Sequence, residues 1–97
     1  MDEKREVAIM ERAIATYGEI AQIDVAIEEM SELIKALLKY RRGVWSECSA
    51  LYLDAIREEM ADVSIMLSQL ELIYGDVTEI EIEKLERLER RLNKLRE

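Results

Sequence analysis

The chain has no histidine, no proline, a single cysteine and only three glycines. Without histidine, most zinc enzymes and Ser-His or Cys-His nucleophiles are excluded. The same absence removes di-iron carboxylate bundles, which need Glu-x-x-His pairs. Cys48 has no partner for an internal disulfide, so a reducing cytoplasm is the expected compartment and Cys48 reads as a packing or loop residue. The glycines stand singly, so no glycine-rich phosphate loop is present. No apolar run approaches the ~18 residues of a membrane span, and the charged N-terminus lacks a signal-peptide core.

What is present is helical material. The 97 residues, 49% hydrophobic and 37% charged, have the size of one domain, 1–97, with an all-α composition. Net charge is −8 and unevenly placed. Residues 1–77 carry sixteen acids and eight bases, whereas 78–97 carry six of each. A chain this acidic is a poor nucleic-acid binder, because duplex binding relies on neutralising phosphates.

Gly18, Gly43 and Gly75 fall where the apolar periodicity breaks, which predicts four helices near 3–16, 19–41, 48–74 and 78–96. Thr78 and Glu81 form a candidate capping box for the last one. The second helix repeats apolar residues at Ile20, Ile23, Ile27, Met30, Ile34 and Leu37, and the third at Leu53, Ile56, Met60, Val63, Leu67 and Leu70. These stripes predict an antiparallel helical bundle. In the fourth, Ile82, Leu85, Leu88, Leu92 and Leu95 make a narrow seam among Glu, Lys and Arg, suited to packing on one partner. The small size and broadly apolar middle helices predict a core completed by association.

Within the two middle helices an acidic pentad is written twice. It reads Glu28-Glu29-Met30-Ser31-Glu32 and then Glu58-Glu59-Met60-Ala61-Asp62. At about 100° per residue, Glu29 and Glu32 form a ledge beside the apolar stripe, with Glu28 turned outward. Glu59, Asp62 and Glu58 repeat that relation. Solvated acids on amphipathic helices normally have basic partners four residues on. Here those positions hold Glu32, Leu33, Ala36, Asp62, Val63 and Met66. Two such ledges facing one another would repel, and the usual compensation is a divalent cation with oxygen ligands, Mg²⁺ or Mn²⁺.

Glu29/Glu32 followed by Glu59/Asp62 resembles the E-x-x-E and E-x-x-D signature of the MazG-like all-α nucleoside triphosphate pyrophosphohydrolases. The likeness extends over Ala26-Ile27-Glu28-Glu29, Glu32-Leu33 and Ala61-Asp62-Val63, and spans the chain from about Gln22 to Arg91. It implies a four-helix antiparallel bundle that forms homodimers or homotetramers. It also implies Mg²⁺-dependent hydrolysis of (deoxy)nucleoside triphosphates to monophosphate and pyrophosphate, in nucleotide-pool housecleaning. Glu29, Glu32, Glu59 and Asp62 would hold the metal, and Glu28 is the better candidate among the outer acids for positioning water.

Phosphates also want cations. Lys39 lies two turns beyond Glu32, and Lys84 with Arg87 or Arg91 fits loosely with basic residues that the family carries after its second acidic motif. Gln22 resembles a polar base-side residue of the family, and Tyr17 and Trp45 are the candidate stacking aromatics. Two other functions fit the same residues. One is phosphoribosyl-ATP pyrophosphohydrolase, and the other is a non-catalytic acidic module for oligomerisation or adaptor use.

Overall fold

The computed structural model describes residues 1–43 and 49–96. Four helices account for nearly all of them, α1 (Glu3–Tyr17), α2 (Glu19–Gly43), α3 (Ser49–Tyr74) and α4 (Thr78–Lys94), with no strand among the described residues. The four all-α elements predicted from periodicity are therefore present, with ends moved by one or two residues.

Local chemistry sets the boundaries. The Asp2 carboxylate accepts from the Arg5 N–H at 2.8 Å and caps α1. Gly18 (φ 95°) and Gly75 (φ 118°) turn the chain at the ends of α1 and α3, in backbone conformations that a side chain would strain. The capping box expected at Thr78 is not how α4 begins. Asp76 instead accepts both the Thr78 N–H (3.0 Å) and the Thr78 hydroxyl (2.6 Å), while Glu71 takes the Val77 N–H at 3.2 Å. Those Thr78 bonds hold the Asp76 carboxyl below its ordinary pKa.

The core is the antiparallel hairpin of α2 and α3, against which α1 lies. Opposed positions advance in even steps: Gln22 meets Gln69 at one end, and Lys39 shares a cleft with Tyr52 at the other. Between them the closest packing runs along Ala26, only 1% exposed, with Ile56, Val63 and Met66. Gln22 Nε2 donates to Gln69 Oε1 at 2.7 Å, so this buried pair satisfies itself and pins the register.

The apolar stripe expected to fill the core faces outward over much of its length. On α2, Ile20 is 78% exposed and Ile27 59% exposed, and Ile34 and Leu37 are also exposed. On α3 the stripe splits, with Ile56 and Val63 buried but Leu53, Met60 and Leu67 exposed. The reason is rotation. The helices approach through small residues such as Ala26, which turns the acid-bearing edge of α2 into the seam and swings its large aliphatics away.

α4 packs on none of the other helices, and all its residues are exposed. The radius of gyration, 17.2 Å, exceeds the roughly 12.5 Å of a compact chain of this length.

Because the Gln22–Gln69 pair is buried, Gln69→Leu strands the Gln22 amide and should cost about 1–3 kcal/mol. Adding Gln22→Leu should recover much of that loss. Urea denaturation of the single and double variants checks both expectations.

Candidate metal centre

The hairpin register brings the two pentads together. Glu29 on α2 faces Asp62 and Glu59 on α3, and carboxylate oxygens of all three lie within 4.8 Å of one another. Two oxygens on opposite sides of an octahedral Mg²⁺ are about 4.2 Å apart, so the three side chains stand close to a chelating arrangement. Glu29 and Glu59 are half-buried and Asp62 is exposed, which leaves the cluster open to solvent on one side.

Its electrostatics are unrelieved by protein cations. The ion pairs among the described residues, Lys35–Glu32 and Arg57–Asp54, touch none of the three acids. Glu29 responds by holding its proton more tightly than an ordinary glutamate. Partial burial is the largest cause, followed by the negative charges of Asp62 and Glu59, then a hydrogen bond with the Glu59 carboxyl and the charge of Glu28. The second Glu59 oxygen, Oε2, is buried and has no hydrogen-bond partner. A buried acceptor without a donor is costly, and a hard cation is one group that would satisfy it. An all-carboxylate donor set with one orphaned oxygen fits Mg²⁺ or Mn²⁺.

Glu32 departs from the expected four-acid convergence. It lies beside the cluster, and its Oε1 accepts from Lys35 Nζ at 3.4 Å. It still shares a cleft with Glu59, lined further by Lys35, Lys39, Ala36, Tyr52 and Ala55. Lys39 is therefore beside the acids, as its spacing from Glu32 predicted. Lys35 stands three residues after Glu32 rather than four, so the i+4 rule does not point to it. Tyr52 was also missed, and only the hairpin register reveals that it faces Lys39.

The remaining candidates scatter. Glu28 and Glu58 are exposed, as the helical wheel predicted. Gln22 is buried and committed to Gln69, so its amide is already engaged. Tyr17 is 69% exposed at the end of α1. Lys84, Arg87 and Arg91 stand on α4, which approaches neither α2 nor α3 along its length, so one chain does not bring them to the acids. Trp45 and Cys48 lie outside the described residues.

Comparison with family models, with curated proteins and with solved structures returned no match.

The raised pKa of Glu29 has a signed consequence for stability. The native chain binds a proton more tightly than the unfolded one, so metal-free protein should gain stability as pH falls from neutral. The gain spans the window from the raised native value down to the unfolded glutamate value near 4.3. Glu29→Gln should raise the metal-free melting temperature at pH 7 and flatten that dependence. Millimolar Mg²⁺ should raise the wild-type melting temperature by mass action and the variant's much less. Melts in EDTA and in Mg²⁺ at several pH values read all three effects.

Proposed function

We propose that this protein is a Mg²⁺-dependent nucleoside triphosphate pyrophosphohydrolase, cleaving (deoxy)nucleoside triphosphates to monophosphate and pyrophosphate. The observation that carries the reading is the meeting of Glu29, Glu59 and Asp62, drawn from both pentads, together with a buried Glu59 oxygen that has no hydrogen-bond partner. A cation that bridges protein and polyphosphate would satisfy both the clustered charge and the orphaned oxygen.

Glu29, Glu59 and Asp62 hold the cation in this scheme. Glu32 is the fourth carboxylate, available when Lys35 turns from it to a phosphate. A bound Mg²⁺ supplies neutralisation of phosphate oxygens and acidification of a coordinated water. The cleft next to the acids supplies the complementary part, since Lys35 and Lys39 line it and can take the charge of the phosphate chain and of departing pyrophosphate. With no histidine in the chain, the base is a carboxylate or the metal-bound hydroxide, and among the outer acids Glu28, next to Glu29, is the better candidate for positioning the water. The role that fits such a small hydrolase is removal of surplus or non-canonical nucleotides in a reducing cytoplasm.

Pyrophosphate release across the common NTPs and dNTPs, with and without Mg²⁺, tests this reading. Asp62→Asn and Glu59→Gln should reduce turnover beyond the roughly 10–100-fold typical of losing a residue that only supports a metal ligand. Glu58→Gln, on the outward face, should stay near wild type. Release of no pyrophosphate from any nucleotide, together with cation binding unchanged by Asp62→Asn, would leave the acidic adaptor module as the better account.

A further inference from the structure

α1 lies against the hairpin without closing on it. Two cavities follow one another along the groove it leaves with α3, about 420 Å³ and about 300 Å³ in volume, and Glu6, Met10 and Ser68 border both. Sites that enclose a ligand run from roughly 300 to 1,000 Å³.

The floor of this groove is apolar. Exposed Ile9 and half-buried Met10 border it from α1, and exposed Ile65 and Leu72 from α3. Ile65 and Leu72 are two helical turns apart, which puts them on one face of α3 at a spacing of about 10.5 Å.

The rim at one end is acidic. Glu3, Glu6, Glu71 and Asp76 border the second cavity, and no Lys or Arg borders either one. The ion pairs among the described residues include none of these acids. The Thr78 hydroxyl holds the Asp76 carboxyl below its ordinary pKa, so that side of the rim stays ionised. Glu71 and Asp76 also stand at the C-terminal end of α3, where the helix dipole is negative and the last turn carries no base.

Floor and rim together ask for a ligand that is apolar on one face and cationic beside it. A helix supplies both. Its apolar residues at i, i+3, i+4 and i+7 repeat over the same distance of about 10.5 Å as Ile65 and Leu72, and basic residues can flank them. No helix of this chain answers that description, since α1 and α4 are neutral and α2 and α3 are acidic. A second copy therefore brings no basic helix for the rim.

We propose that the α1–α3 groove is a docking site for a basic amphipathic helix of another protein, its apolar face on Ile9, Ile65 and Leu72 and its Lys or Arg side chains on Glu6, Glu71 and Asp76. The groove shares no residue with the acid cluster or the cleft beside it, so docking does not rest on the catalytic reading.

Fluorescence anisotropy of the full chain with a labelled helix-forming peptide tests the proposal, the probe having leucine at i, i+3, i+4 and i+7 and lysine elsewhere. Wild type should bind this peptide and not its counterpart with glutamate in place of lysine. Ile65→Gln with Leu72→Gln, both at exposed positions, should weaken binding roughly tenfold or more. Glu6→Gln with Glu71→Gln should weaken it about threefold to tenfold, and an amide at position 71 can still accept from the Val77 N–H. Two control pairs on α4, Glu86→Gln with Glu89→Gln and Leu88→Gln with Leu92→Gln, should bind as wild type does. Helical circular dichroism should be retained throughout. No binding by wild type overturns the proposal, as does equal binding of the glutamate peptide. Equal losses in the groove and α4 charge pairs mean attraction to the net charge alone, and undiminished binding by the Ile65/Leu72 variant, or loss of binding in the Leu88/Leu92 variant, means contact elsewhere. Any of these results also overturns it.

Discussion

The structure depends on placing like charges at the seam between two packed helices. Ala26, nearly fully buried, lets α2 and α3 approach closely, and that approach carries Glu29 against Asp62 and Glu59 rather than out into solvent. No base pairs with these acids among the described residues. Partial burial and the neighbouring charges of Asp62 and Glu59 raise the pKa of Glu29, and one Glu59 oxygen is left with nothing to accept from. Proton and divalent cation would compete for the same oxygens.

The same rotation has a cost on the far side of the hairpin. With the acid edge turned inward, the large aliphatics of α2 face water, and the intrachain core shrinks to Ala26, Ile56, Val63, Met66 and the Gln22–Gln69 pair. A core of that size leaves a 97-residue chain short of the burial that ordinarily offsets conformational entropy. The clustered acids at the seam and the exposed aliphatics on the far side are thus two results of one packing choice.

Much of this was legible in the sequence, and the exceptions have physical reasons. Helix existence and number follow from isolated glycines and long aliphatic periods, and the meeting of the two pentads follows from their equal placement on consecutive helices. The direction of the core did not follow. Apolar residues outnumber small ones on α2, so the wheel points at the isoleucines, but close approach is governed by Ala26 and by a buried amide pair that hydropathy scores as polar. Glu32 was placed with the other acids because its angle is right, and Lys35, one residue short of the position tested, draws it aside. Thr78 has the residue type of a cap, but it is the first residue of α4, and its N–H and hydroxyl both go to Asp76. Gln22 has the polarity of a ligand contact, yet its partner 47 residues away is visible only once the hairpin is built.

The central claim is that the three clustered carboxylates form one cation site. Mn²⁺ titration followed by electron paramagnetic resonance tests it most directly, because it counts bound ions without reference to any substrate. The account predicts a saturable site in wild type that Mg²⁺ displaces and that Glu59→Gln removes, with Glu58→Gln binding as wild type does. Equal Mn²⁺ binding by wild type and Glu59→Gln would contradict it.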